Sequence, residues 1–398
     1  MENLEQIRKL IKQLNEIGES NFENVPQIKG VDIFKDILNL DDSIKKEKYN
    51  DKDNKGILYK ELLTRYLFLN SILDQGPDME GVRILQANVT NRLYKEGIFF
   101  LHDPSLFFKR IDFVFDVVKE EHENIKKSER TKKWAENQKI SIGRYNLFLE
   151  NSKQLSSYIL GRWAPPLSII QIRINEKRTL LSLFEGQKSA EDLSIFIKSD
   201  EKYGMGKAIG NKAAHLLVKW LIYSYGLIKL NDSKWGQNSY ELPFDSNAGR
   251  VLFMTGFFHY FFPSLNKILF DKESEKKWVG SRMNQKFSKS DNGRYHMYIT
   301  NSFRGAVIED GIDNEMKQEI KSFLKEMFGH RFRDIKIQHI LNYIANEEEC
   351  KIGAIDDGLM KIGTTFCLNN GKQKCDSCPL NQICSGKNNK ERKTKFFT

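Results

Sequence analysis

The sequence predicts an all-α protein divided into two or three domains. Three observations carry this. Apolar residues recur at spacings of three and four along most of the chain, the period of a buried helix face. Helix breakers are sparse, with 8 prolines and 26 glycines in 398 residues. Strand-like alternation is weak throughout, and no repeat of fixed period is visible. At ~100–200 residues per domain, the length allows two or three cores.

The elements follow in order. Residues 5–17 place Ile7, Leu10, Ile11 and Leu14 on one helical face. Residues 41–55 are nearly all polar and read as a linker. Residues 58–73 are strongly apolar and end in Asp74-Gln75-Gly76-Pro77, a helix stop. Between Lys119 and Lys139, 12 of 21 residues are charged, which marks a solvated helix or an insertion. Residues 152–174 read as a helix broken at Pro165-Pro166. Residues 212–225 carry a stripe of Ala213, Leu216, Leu217, Trp220 and Leu221. Further helices are expected over 245–262, 313–328, 335–345 and 356–366.

Composition narrows the class. Lysine plus arginine is 63 against 53 acids, a net charge of +10 that suits a polyanionic partner without naming one. Glu2, Glu5, Arg8 and Lys9 argue against a secretory leader. The uncharged run over 251–266 is shorter than the ~20 residues a membrane span needs. A soluble cytoplasmic protein is expected, with no membrane partner and a monomeric state.

The cysteines are unevenly placed. Four of the five fall in the pattern Cys367-x7-Cys375-x2-Cys378-x5-Cys384, within 18 residues. Cys350 stands apart. Four crowded thiols in a large chain point to a metal site rather than a disulfide framework. Four thiolates can hold zinc or a [4Fe–4S] cluster. A zinc ribbon prefers two separated Cys-x-x-Cys knuckles. Here one such pair is flanked by single cysteines, which fits a loop wrapped around a cluster.

Upstream, Ala208-Ile209-Gly210-Asn211-Lys212-Ala213-Ala214 runs straight into an amphipathic helix. A small-residue turn at a helix N-terminus lets backbone amides approach a phosphate. Pro243-Phe244-Asp245-Ser246-Asn247-Ala248-Gly249-Arg250-Val251 places an aspartate at a helix start, with arginine five positions on. Aspartate there is a favoured N-cap, and capping is compatible with catalysis in the same residue.

The cluster loop carries a resemblance. Asp357 to Cys367, then Lys374-Cys375-Asp376-Ser377-Cys378-Pro379-Leu380, then Cys384, resembles the loop of the endonuclease III / adenine-mismatch branch of the helix–hairpin–helix (HhH-GPD) DNA glycosylases. The 208–214 segment is similar to the hairpin of that superfamily, and 243–251 to its aspartate segment. Leu69 to Asp78 resembles the segment that ends its first helix. Two departures stand out. The first cysteine gap is one residue longer than usual, and Lys212 and Asp245 lie 33 positions apart, with residues 229–241 as the extra stretch.

The resemblance implies a fold, a cofactor and an activity. The fold would be a six-helix barrel over 81–250, with a cluster domain built from 56–80 and 251–386. Residues 1–55 would be an N-terminal helical extension and linker, and 387–398 a basic tail. The four cysteines would hold a [4Fe–4S] cluster, with zinc as the alternative. The partner would be double-stranded DNA containing a damaged, mismatched or modified base, flipped out for excision. Asp245 would stabilise the positive charge developing on the sugar, and Lys212 would attack C1′ to permit strand cleavage. Lys207, Ala208, Gly210, Asn211 and Arg250 would contact DNA, with Gln75 as wedge or orphan-base contact. Two other classes stay open: a non-catalytic DNA-binding module on this scaffold, and an N-glycosidase acting on nucleotides or RNA.

Overall fold

The computed structural model describes residues 2–20, 26–38, 40, 42–73, 79–124, 158–230, 235–262, 312–329, 334–368 and 373–388. It is all-α: among the described residues no strand forms, and extended pairing is limited to isolated bridges such as that between Lys52 and Leu58. No helix there is long and apolar enough to cross a membrane. The helices are α1 (Glu2–Ser20), α2 (Lys35–Leu38), α3 (Asp42–Lys48), α4 (Tyr59–Leu73), α5 (Met79–Lys95), α6 (Ser105–Lys109), α7 (Ile111–Asn124) and α8 (Tyr158–Asn175). Then come α9 (Leu180–Glu185), α10 (Ala190–Ser199), α11 (Asn211–Lys219), α12 (Ser246–Thr255), α13 (Phe257–Phe261), α14 (Asn314–Phe328), α15 (Ile337–Glu347) and α16 (Ile352–Thr365). They divide into two units, one of residues 1–22 with 237–398 and one of residues 23–236.

This division differs from the expected one. Residues 1–20 are not an extension. Helix α1 buries Ile7, Leu10, Ile11, Leu14 and Ile17 and packs along α16 in the cysteine-containing unit. The two backbones nearly touch: a Cβ added at Gly358 would lie 2.0 Å from the Leu14 carbonyl oxygen, and one at Gly18 1.9 Å from that of Ala354. Close helix contact of this kind tolerates only glycine. Helix α4, expected beside the cysteines, instead belongs to the 23–236 unit.

In that unit α4 is the central element. Every residue from Glu61 to Leu73 is buried, so the helix is enclosed on all sides. It packs on α8, α9 and α11. Its two buried charged residues are paired: Arg65 Nε donates to Glu61 Oε1 at 2.7 Å. Glu61 also accepts the amides of Leu180 and Leu181, each at 2.9 Å, and so caps α9. Arg65 Nη1 reaches the carbonyl of Leu101 at 2.7 Å.

Three local expectations are corrected. The 41–55 stretch is not a plain linker: it forms α3 and then a turn in which Asp53 Oδ1 accepts the amides of Lys55 and Ile57. Pro165 and Pro166 do not break α8. Packing against α4, with Trp163, Ala164, Leu167, Ile169 and Ile170 buried, outweighs the two lost backbone donors. The 245–262 helix is two helices, α12 and α13, separated at Gly256 with φ of 94°. The 212–225 helix begins as α11 and closes in a widened π turn over Trp220–Ser224. Most of the charged 119–139 stretch, and the basic tail beyond residue 388, lie outside the described residues.

Candidate active site and metal centre

The hairpin lies in the 23–236 unit. Helix α10 starts at the Ser189 N-cap and stops at Asp200, whose Oδ1 accepts the amides of Lys202 and Tyr203 at 2.9 and 2.7 Å. The chain then turns through Gly206, where φ is 56°. Glycine meets that requirement without strain. Ala208, where the resemblance would put the first hairpin glycine, is therefore relieved of it. After an extended Ile209, Gly210 caps α11 and supplies no side-chain acceptor. Gly210 and Asn211 are exposed, and Lys212 is half-buried in the first turn.

Two polar contacts close the hairpin. Lys198, in the last turn of α10, donates to the Asn211 side chain. At the far end, His215 Nε2 lies 3.2 Å from Glu191 Oε2. The Asn211 side chain thus faces its own hairpin. Ala208 corrects the expectation that it touches phosphate. It is buried, its amide donates to the Met205 carbonyl at 3.1 Å, and its carbonyl accepts Arg162 Nη1 at 2.7 Å. Lys207 sits in the 3-10 turn Gly206–Ala208. Gln75 lies outside the described residues.

Asp245 lies in the other unit, at the N-cap of α12. Its Oδ1 accepts the amides of Asn247 and Ala248 at 2.8 and 3.0 Å. The capping role is thus real, and both cap bonds fall on one carboxylate oxygen. Lys212 and Asp245 belong to different units.

Arg250 is corrected outright. It is 3% exposed and is a structural staple, not a DNA contact. Its Nε donates to the Cys367 carbonyl at 2.5 Å, and its Nη2 to the Gly363 carbonyl at 2.6 Å and to Asn247 Oδ1 at 2.8 Å. Burial lowers the Arg250 pKa from its ordinary value. Gly363 permits the approach, since a Cβ there would lie 2.8 Å from the Asn247 Cβ. One residue thus fixes the middle of α12 to the end of α16, where the cysteine loop begins.

The loop is a succession of tight turns. The Cys367 amide donates to the Ile362 carbonyl at 2.8 Å, and that of Cys378 to Cys375 at 3.2 Å. The Cys384 amide reaches Leu380 at 2.9 Å, and Leu380 is buried as an anchor. Beyond it, the Ser385 hydroxyl donates to the Thr255 carbonyl at 3.1 Å. Cys384 Sγ lies 3.6 Å from the Met254 carbonyl. A Cβ at Gly386 would stand 2.2 Å from that same oxygen, so the exit from the loop is moulded to the end of α12.

Cys367, Cys375, Cys378 and Cys384 all line one recess, with Val251, Met254, Ile362 and Leu380 among its walls. The walls are mostly apolar. Burial pushes the Cys367 thiol up to about 12, with Arg250 acting in the opposite direction. Among the described residues, no three His, Cys, Asp or Glu side chains are grouped closely enough to hold a single ion. Cys350 is buried elsewhere in the unit, its thiol pushed up to about 11 by desolvation.

Comparison with protein-family models, with curated proteins and with solved structures finds no match. The site therefore rests on its own geometry. Sequence reasoning missed Asn247 as a bridge between Arg250 and the cap, and Gly363 and Gly386 as points of close approach. The signal for Gly363 was present, as a glycine inside a helix four residues before a cysteine.

Proposed function

We propose that this chain is an HhH-GPD DNA N-glycosylase with AP-lyase activity, acting on a damaged, mismatched or modified base in duplex DNA. The supporting observation is the architecture around α12. Asp245 caps one end, Arg250 in the middle grips the first cysteine's carbonyl, and Met254 and Thr255 at the other end hold the chain around Cys384. At 1.5 Å per residue, the α12 walls of the thiol recess, Val251 to Thr255, lie about 9–15 Å along the helix from the carboxylate.

The arrangement of the four thiols supports a cluster as their ligand. They share the walls of one recess, and a single Cys-x-x-Cys pair flanked by lone cysteines suits a wrapped cluster better than the paired knuckles of a zinc ribbon. Cys367, Cys375, Cys378 and Cys384 would hold a [4Fe–4S] cluster, which when bound cross-links the loop. The protein side of the chemistry rests on other residues. The exposed N-terminus of α11, capped by Gly210, offers amides and a favourable helix dipole to a phosphate. The Asp245 carboxylate, held in place by its two amide bonds, stabilises positive charge on the sugar as the glycosidic bond breaks. The unprotonated Lys212 amine attacks C1′. The C1′–N bond to the base breaks, and the base takes the proton released by the attacking amine; the C1′–O4′ bond then opens, O4′ takes a proton from water, and a protonated Lys212–sugar Schiff base results. Loss of a proton from C2′ then expels the 3′ phosphate by β-elimination, and water releases the lysine.

Borohydride trapping tests this reading. Reduction should capture wild-type protein on abasic-site DNA as a covalent adduct, and Lys212→Gln should remove it. An adduct that persists in that variant rules out Lys212 as the nucleophile. DNA binding without base release or adduct in the wild type would favour a non-catalytic DNA-binding module.

A further inference from the structure

Residues 239–244, which deliver the chain to Asp245, form neither helix nor strand, yet Ser239, Tyr240, Leu242 and Phe244 are buried. Buried backbone outside regular structure must find its hydrogen-bond partners elsewhere. This segment finds them on one face of α15. Asn342 Nδ2 donates to the carbonyls of Asn238 and Tyr240 at 2.8 and 2.9 Å, and Gln338 Nε2 to that of Leu242 at 2.9 Å. Both carboxamides are at most 2% exposed.

The spacings explain the match. Four residues along a helix rise about 6.0 Å, and two residues along an extended chain advance about 6.6 Å. Gln338 and Asn342, four apart, therefore meet the carbonyls of Leu242 and Tyr240, two apart. Helix α15 takes the place of a neighbouring strand, with side-chain amides as the donors. His339 adds a rung between them. The Lys336 amide donates to its Nδ1 at 3.2 Å, so Nε2 carries the hydrogen and donates to Glu241 Oε1, 3.2 Å away.

Asn238 anchors the start of the segment. Its Nδ2 donates to the Cys350 carbonyl at 2.9 Å, and its Oδ1 accepts the Ile352 amide at 2.9 Å. That amide opens α16, whose own N-cap residue, Lys351, supplies no side-chain acceptor. At the other end the extended run continues into Asp245, with φ of −130° and ψ of −174°. The Asp245 cap forms only if the chain enters α12 along this path, and three residues separate it from the Leu242 rung.

We propose that Gln338 and Asn342 are positioning residues for the Asp245 carboxylate, acting through the segment they hold. The consequence for catalysis rests on the glycosylase reading; the positioning itself does not.

Hydrogen exchange on the full-length protein tests this at single amides. The Asn247 and Ala248 amides report the Asp245 cap. The Met316 amide, bonded to Asp313 Oδ1 at 2.8 Å, reports a second cap in the same unit, on α14. Gln338→Met removes one rung with little change of volume, and Asn342→Leu removes two. Each should speed exchange at Asn247 and Ala248 about tenfold relative to Met316. Single-turnover base release should slow by a similar factor, with DNA affinity unchanged. If Asn342→Leu does not fold, Gln338→Met alone decides. Exchange that rises equally at all three amides, or at none, would overturn the proposal, since the rungs would then serve the fold alone. Base release at the wild-type rate by the variants would also overturn it while leaving the glycosylase reading in place. Selective exchange in a protein whose wild type releases no base keeps the positioning role and removes the glycosylase reading.

Discussion

Arg250 donates its Nε–H to the carbonyl of Cys367 at 2.5 Å, joining the helix that Asp245 caps to the first residue of the cysteine loop. The same guanidinium also holds the Gly363 carbonyl and the Asn247 side chain. The arginine that resemblance assigned to DNA is a buried connector. It transmits the position of the loop to the N-cap of α12.

Arg250→Met should therefore act on the loop. Two buried carbonyls lose their donor, at about 1–3 kcal/mol each. The urea midpoint should fall, and purified variant should contain less iron than wild type at equal protein concentration. A variant with unchanged midpoint and unchanged iron content would show that the staple is dispensable.

The α1–α16 seam gives a second prediction. Gly358→Ala puts a methyl group 2.0 Å from the Leu14 carbonyl, and backbone cannot rotate away as a flexible side chain can. The helices must separate, losing contact along Leu10, Ile11 and Leu14. Overpacking of this kind costs about 1–3 kcal/mol. A drop in melting temperature checks it. Gly97→Ala makes a poor control because its φ of 76° strains alanine on its own account, whereas Gly210, where an added Cβ meets nothing within 4 Å, is a fair one.

Helices were largely legible in the sequence because apolar spacing records which face is buried. Ile7 to Ile17 and Ala213 to Leu221 are examples, and both stripes are buried. Breaks were less legible. Gly256 divides a helix through its own positive φ, while Pro165 and Pro166 fail to divide one because tertiary packing overrides them. The four thiols expected at one metal site line one recess, because the turns between them are local and follow the cysteine spacing. Arg250 was misjudged because its partners, Gly363 and Cys367, lie more than 100 positions away, and a single sequence gives no record of such pairings.

Acid should destabilise the 23–236 unit through Asp53 and His102, whose Oδ2 and Nε2 lie 2.6 Å apart. Burial holds the imidazole below its ordinary value, outweighing the pull of Asp53. Burial opposes the Asp53 carboxylate, but the bond from His102 and the amides of Ile57 and Lys55 outweigh that and hold it low. The neutral imidazole then donates from Nε2 to Asp53 and accepts the Tyr94 hydroxyl at Nδ1, 3.0 Å away. Both folded values are depressed, so each group stabilises the fold above its unfolded pKa and loses that contribution as pH falls. The histidine contribution is complete above about pH 6.5 and fades below it; the aspartate contribution is complete above about 3.9. The urea midpoint of wild type should exceed that of His102→Asn by more at pH 8 than at pH 5. A difference that widens on acidification would reverse the sign argued here.

Asp245 allows capping and catalysis to be separated. Asparagine caps a helix about as well as aspartate, so Asp245→Asn should leave the melting temperature nearly unchanged. Asp245→Ala removes the acceptor for the Asn247 and Ala248 amides and should cost about 1 kcal/mol. Stability thus distinguishes the two variants. Catalysis should not: neither asparagine nor alanine supplies a negative charge to the sugar, so both should lose base release while retaining DNA affinity. Single-turnover release assays and gel-shift titrations on the same lesion-bearing duplex measure the two quantities side by side. Wild-type release by the Asn variant would reduce Asp245 to a helix cap and take the carboxylate out of the proposed mechanism.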